Sequence, residues 1–265
     1  MDSKSLIFTV TAGRTGTDWL SKFIKINSSF HSIHEPIKIH DFGVKMPDIR
    51  IMRTFNEYGF NNDVKSFWSK KFKTIESTPP YSESNHTLGK CGLIEYMSNF
   101  TKLTDEVSII LLRRENRVKQ AVSYLTRADF FHVTMQWQWY LSYRYKHLIL
   151  NPKPFLEHKM IGMVFWYIYE MESRQEYYKL LHGDRFNFID ASLESITKTE
   201  GAESLAKSLN IKRDVQLPPP ANVNKLTPSE ETINHALEFE NICNIDPKEI
   251  AKTFIDSGER IGQLT

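Results

Sequence analysis

Residues 6–20, Leu-Ile-Phe-Thr-Val-Thr-Ala-Gly-Arg-Thr-Gly-Thr-Asp-Trp-Leu, constrain the fold more than any other stretch, because a buried strand, a tight loop and a helix start follow one another without a break. Leu6, Ile7, Phe8 and Val10 form the short apolar run of a strand covered on both faces. Gly13 and Gly16 let the chain turn sharply, and a helix begins near Thr17. Trp19, Leu20, Phe23 and Ile24 recur at helical spacing and make its apolar stripe. The first-turn amides of Thr15 to Asp18 then point together at whatever sits in the loop, and an anion is the natural occupant.

The loop is not a Walker A, which needs Lys and then Ser or Thr after the last Gly, where the hydroxyl holds magnesium. Here Gly16 is followed by Thr17 and Asp18, and the cation, Arg14, precedes the Gly. The order small residue, Arg, Thr, Gly, Thr, then Trp-Leu resembles the 5'-phosphosulfate loop of sulfotransferases that use 3'-phosphoadenosine 5'-phosphosulfate (PAPS). Their usual form is Lys or Arg, Ser, Gly, Thr, Thr or Ser, an apolar residue such as Trp, then Leu. The resemblance makes Gly13, Arg14, Thr15, Gly16, Thr17, Asp18 and Trp19 the cofactor loop. Asp18 departs from the pattern, because it stands where the family commonly has a hydroxyl, and its carboxylate must point away from the anion.

A second match lies at residues 107–112, Val-Ser-Ile-Ile-Leu-Leu, another buried strand running into Arg113, Arg114, Glu115 and Asn116. The helix that follows has Val118, Ala121, Val122 and Leu125 on its apolar face, with Asn116, Gln120, Ser123 and Arg127 beside them. Leu-Leu-Arg-Arg-Glu-Asn followed by Gln-Ala-Val-Ser-Tyr looks like the bacterial carbohydrate-sulfotransferase branch, in which an Arg at the strand end and a Ser on the helix bind the 3'-phosphate. Arg114 and Ser123 take those places by resemblance, with Arg113 as the competing cation.

Between the two motifs lies His34-Glu35-Pro36, after a strand expected around Phe30 to Ile33. Pro36 holds Glu35 extended at the carboxyl edge of the sheet, where open parallel sheets bind ligands. Glu-Pro at this place resembles the same branch and implies a carboxylate base for the acceptor hydroxyl, its pKa raised by desolvation. His34 is the competing base, and alternation along an extended segment puts the two side chains on opposite faces. Lys90, in Leu-Gly-Lys-Cys-Gly-Leu, lies by chain order where these enzymes have a strand bearing a Lys near the transferring group. Asn224 and Lys225, in the Pro218–Lys225 loop, are further candidate phosphate contacts.

With 265 residues, a net charge of +2 and two cysteines, Cys91 and Cys243, the chain has neither the broad basic field of a nucleic-acid binder nor a disulfide framework. Partners are expected to be small molecules or carbohydrate acceptors, with no nucleic acid. The chain enters the loop strand within a few residues of Met1, so no leader or membrane span is expected and a reduced, cytoplasmic setting fits. Residues 134–148 and 160–182 read as aromatic-rich helices, with Phe165, Trp166, Tyr169, Tyr177 and Leu180 of the second packed against the sheet, 186–189 as a late strand and 192–209 as helical. The expected architecture is one α/β domain over residues 1–265, with a mainly parallel central sheet flanked by helices. Residues 47–87 read as an insertion near the acceptor site, and 210–265 as a C-terminal loop and helical region. The resemblance implies an enzyme that moves a sulfuryl group from PAPS to a hydroxyl, or an amine, releasing 3'-phosphoadenosine 5'-phosphate (PAP) without a metal. The alternatives are a P-loop nucleotide kinase that needs ATP and magnesium, or a non-catalytic module that binds adenosine bisphosphate.

Overall fold

A computed structural model describes residues 5–36, 38–78, 80–100, 107–127, 139–211, 214–221 and 226–264. The chain runs β1 (Leu6–Val10), α1 (Thr17–Asn27), β2 (His31–His34), α2 (Ile49–Tyr58), α3 (Asn62–Glu76), β3 (Tyr81–Ser84), α4 (Leu93–Phe100), β4 (Val107–Arg113) and α5 (Arg117–Thr126). It continues with α6 (Lys153–Leu156), α7 (Lys159–His182), β5 (Asn187–Ser192), α8 (Leu193–Ile196), α9 (Thr199–Ser208), α10 (Glu230–Ile242) and α11 (Pro247–Asp256). The five strands form one sheet in the order β2-β3-β1-β4-β5, and every pairing is parallel.

Alternation along β1 explains the two layers of helices. Leu6, Phe8 and Val10 face a core shared with Met52, Trp68, Leu93 and Phe165, which come from α2, α3, α4 and α7. Ile7 faces the other way, with Ile110, Leu112 and Ile189, and is covered by Trp19, Leu20, Phe23 and Ile24 of α1 and by Leu205 of α9. With both faces of β1 covered by helices, its side chains are mostly apolar, hence the apolar run.

The chain leaves β1 toward β2 on one side, while β4 lies on the other. Such a switch point opens a crevice beyond the carboxyl ends of the strands. The loop after β1, Glu35 after β2, His86 after β3 and Arg114 after β4 all sit at that edge.

Four readings need correction. Residues 81–84 form β3, between β2 and β1, so part of the 47–87 stretch is sheet framework instead of an insertion. Residues 88–90 form a single 3₁₀ turn, not the strand expected to carry Lys90. Within the expected helix over 134–148, the described residues 139–148 are turns and bends. There the backbone is tied to other elements: His147 N–H donates to Asn56 C=O (3.0 Å), and His147 C=O accepts from Arg174 (2.7 Å). With those groups satisfied by side chains and α2, no helical ladder is required. Lastly, Leu180 of the aromatic helix is exposed at 47%, although Phe165, Trp166, Tyr169 and Tyr177 are buried as read.

Candidate functional site

The loop after β1 is held open from behind. Ala12 C=O accepts from the hydroxyls of Tyr124 (2.8 Å) and Tyr167 (2.7 Å), and Gly13 C=O accepts from Tyr124 (2.9 Å) and Gln120 Nε2 (2.8 Å). A trans peptide is planar, with C=O and N–H opposed. Pinning the Gly13 carbonyl therefore aims the Arg14 N–H the other way. The Thr11 and Thr15 hydroxyls close the base of the loop at 2.6 Å. Gly13 has φ +98°, and a Cβ there would lie 3.2 Å from the Tyr124 hydroxyl, so no other residue fits without movement. Arg14 itself has φ +56°, a conformation costing an L-residue on the order of 1 kcal/mol.

Helix α1 begins its ladder with Leu20 N–H to Gly16 C=O (2.9 Å), which leaves the amides of Thr17, Asp18 and Trp19 without an intrahelical acceptor. Asp18 turns along the helix to Lys22 (2.9 Å), so the one acidic side chain of the loop is engaged away from those amides. The Trp19 indole is core: it stacks on Phe23 at 5.3 Å and donates to Pro218 C=O (3.1 Å). What Trp19 brings to the loop is its amide.

The expected pairing of Arg114 with Ser123 takes a different form. Ser123 Oγ accepts from Arg14 Nε at 3.1 Å, joining α5 directly to the β1 loop. Arg114 approaches Glu194 through its Nε at 3.6 Å and donates to Lys119 C=O at 3.4 Å, and among the described residues that buried Nε has no partner within hydrogen-bond distance. It lies close enough to Arg14 for the two charges to repel. Arg113 is engaged by Gln175 and Glu176, both at 2.6 Å. Arg113 and Arg114 border a cavity of about 620 Å³ at the ends of β4 and β5, with Ser192, Ser195 and Ser204 on its wall.

Glu35 and His34 come together instead of parting to opposite faces. Strand β2 ends at His34, so the alternation of a strand no longer governs Glu35. His34 Nε2 lies 3.7 Å from Glu35 Oε1 and 3.0 Å from Thr17 Oγ1, which links the carboxylate to the start of α1. His86 Nε2 approaches the same Glu35 oxygen at 3.9 Å. Burial raises the Glu35 pKa, against the opposing pull of His34, the His86 backbone N–H, Lys90 and Arg14.

Lys90 is fully enclosed. Its Nζ lies 2.8 Å from His86 Nδ1, 2.6 Å from Trp139 C=O and 2.8 Å from the Tyr167 hydroxyl. Burial pulls its pKa down to about 7. Burial also holds His86 well below the ordinary histidine value, aided by the charges of Lys90, His34 and Arg14. Instead of lining the loop, Lys90 stands behind it, joined to Ala12 C=O through Tyr167.

Asn224 and Lys225 fall outside the described residues. The sequence does not disclose the parts played by His86, Tyr124 and Tyr167. Tyr124 ends the Gln-Ala-Val-Ser-Tyr run on α5, Tyr167 is one aromatic among many on α7, and His86 follows a strand whose sequence hides it. Among the described residues, no group of three or more His, Cys, Asp or Glu side chains is placed to hold a metal ion, and no helix is long and apolar enough to cross a membrane. Compared with protein-family models, with curated proteins and with solved structures, the chain gives no match.

Proposed function

We propose that this protein is a sulfotransferase that moves a sulfuryl group from PAPS to a hydroxyl, or less readily an amine, of a carbohydrate, glycolipid or small natural product. The observation that carries the reading is the meeting, at one sheet edge, of an anion cradle with a desolvated carboxylate, joined by the Thr17–His34–Glu35 contacts of 3.0 and 3.7 Å. The cradle offers amides of the loop and helix start together with Arg14, and lacks the Lys-Ser/Thr pair that serves a magnesium-bound triphosphate. A sulfuryl group carries less negative charge than a phosphoryl group, so a site built from amides and guanidiniums suits it.

PAPS supplies the activated sulfuryl group, and the chain's own residues do the rest by position and charge. Arg14 and the α1 amides stabilise the negative charge that grows on the departing 5'-phosphate. Ser123 orients Arg14 through its Oγ and keeps its hydroxyl hydrogen for the 3'-phosphate. Arg114, beside the cavity at the ends of β4 and β5, completes the grip on that end of the nucleotide. Glu35 takes the proton of the attacking hydroxyl, which its raised pKa favours.

Incubation with ³⁵S-labelled PAPS and a panel of sugars, glycolipids and polycyclic metabolites tests the reading, with Glu35→Gln as the control. Label transferred by the native chain and lost in the variant supports it. Transfer of phosphate from ATP with magnesium would establish the kinase instead, and PAP binding with turnover of no acceptor would favour the non-catalytic module.

A further inference from the structure

We propose that His86 and Lys90 form a buried proton relay behind Glu35, which passes the proton taken from the acceptor hydroxyl through the His86 ring to the Lys90 amine. The inference deepens the sulfotransferase reading and rests on it for the origin of the proton. The relay itself stands on geometry.

The three partners of Lys90 Nζ fill all three positions a lysine nitrogen has beyond its own carbon. Trp139 C=O accepts only. The Tyr167 hydroxyl gives its hydrogen to Ala12 C=O at 2.7 Å, so it too accepts from Lys90. His86 Nδ1, at 2.8 Å, is the one partner that can either give or take a proton. An ammonium donates to Nδ1 and leaves the ring hydrogen on Nε2. A neutral amine accepts from Nδ1–H and leaves Nε2 bare, 3.9 Å from Glu35 Oε1. The same heavy-atom positions satisfy both states, and a side-chain rotation or one bridging water spans the gap to Glu35.

The transfer balances without any further reactant. The acceptor O–H proton goes to the Glu35 carboxylate, the Glu35 carboxyl proton to His86 Nε2, and the His86 Nδ1 proton to the lone pair of Lys90. Glu35 returns to carboxylate, His86 to a neutral ring in its other tautomer, and Lys90 becomes ammonium. The surrounding charges suit a proton that does not stop midway. Burial opposes an imidazolium at His86, as do the facing Lys90, His34 and Arg14, all cationic or able to become so, with the Glu35 carboxylate as the opposite charge 3.9 Å from Nε2. Lys90 faces Glu35, Cys91 and Arg174, and burial brings it to about 7, where it can both take and release a proton. Glu35 faces His34, Arg14 and Lys90, with the His86 amide on the carboxylate.

Nitrogen NMR of ¹⁵N-histidine-labelled protein reads the relay without any turnover. His86 is assigned by backbone connectivity in the native chain. Its two ring nitrogens should exchange tautomer signals with a midpoint near pH 7, the Lys90 value, and never reach the imidazolium pattern. In Lys90→Arg, which stays protonated, the hydrogen should remain on Nε2 throughout; should that variant not fold, Lys90→Met must likewise abolish the switch. A single His86 tautomer across roughly pH 5–9 in the native chain overturns the relay, as does titration to imidazolium, or a switch that persists without Lys90. A tautomer switch in a protein that does not bind PAP would leave the relay standing and remove the sulfotransferase reading. PAP binding without the switch would do the reverse.

Discussion

If four hydrogen bonds hold the β1 loop open, the Gly13 carbonyl is the place to break it. Gly13 C=O is buried and has two donors, Gln120 Nε2 at 2.8 Å and the Tyr124 hydroxyl at 2.9 Å, while Ala12 C=O keeps Tyr167 whatever happens to Tyr124. Gln120→Leu removes one bond, and Tyr124→Phe removes the single hydroxyl hydrogen shared by the two carbonyls; either variant alone leaves each carbonyl a partner, a loss of roughly 1 kcal/mol. Together they orphan the Gly13 carbonyl, which adds about 1–3 kcal/mol beyond the sum of the singles. The carbonyl then gains by turning toward water, and the planar peptide carries the Arg14 N–H out of the cradle with it. Urea unfolding of the four proteins should therefore give a coupling of at least about 1 kcal/mol, and calorimetry should show PAP weakened about tenfold or more only in the double variant. Additivity within about 0.5 kcal/mol, or unchanged PAP affinity in the double variant, would show that these bonds do not hold the Arg14 amide in the cradle.

Glu35→Gln keeps the shape of the base and removes its function, so sulfuryl transfer should fall on the order of a hundredfold or more while the Kd for PAP stays within a few-fold. If His34→Ala abolishes transfer and Glu35→Gln does not, His34 is the base. Ser123→Ala should weaken PAP by roughly 1.5–3 kcal/mol more than it weakens AMP, which loses only the orienting of Arg14; equal losses for both would mean that Ser123 acts only by orienting Arg14. Glu95 is half-buried with its Oε2 shut off from solvent; its carboxyl receives the Tyr178 hydroxyl at 3.0 Å, and desolvation pushes its pKa up to about 7. The folded state keeps the Glu95 proton between about pH 4.5 and 7 and the unfolded state does not, so this group's contribution falls as pH rises through that window. Glu95→Gln should thus stabilise the protein by roughly 3 kcal/mol at about pH 8 and by little at about pH 4.5, measured by denaturant unfolding. A larger gain at the acidic end would contradict the assignment.

What the sequence discloses follows from the range of the interactions involved. The strand, loop and helix of residues 6–20 lie in one continuous run, and the apolar period of each is local, so their order and bounds are legible. The same holds for β4 and α5. Strand β3 is not legible, because Tyr81-Ser82-Glu83-Ser84 has no apolar run at all. It is buried as a polar strand because Glu83 meets Lys71 from α3 at 2.6 Å and accepts from Tyr81 (2.7 Å) and Asn85 (3.0 Å). No periodicity records such a partnership. With β3 hidden, His86 has no visible reason to stand at the sheet edge, and Lys90 is assigned to a strand that does not exist.

The site's supports are hidden for the same reason. Tyr167 and Ala12 are far apart in sequence, and only the closure of α7 over β1 brings them together. The aromatic density of 139–148 suggests a helix, yet Glu170 receives the amides of Ile149 and Leu150 while Arg174 takes the carbonyl of His147. Those two buried side chains, themselves paired at 2.8 Å, hold the segment irregular.

The proposed sulfotransferase grips one nucleotide, with phosphates at both ends, between the β1 loop and the Arg114–Ser123 region. Isothermal calorimetry of the native chain with PAP and with AMP, each with and without magnesium, measures that grip. PAP should bind without magnesium and much more tightly than AMP. Equal affinity for the two nucleotides, or binding that requires magnesium, would mean that no such two-ended grip exists.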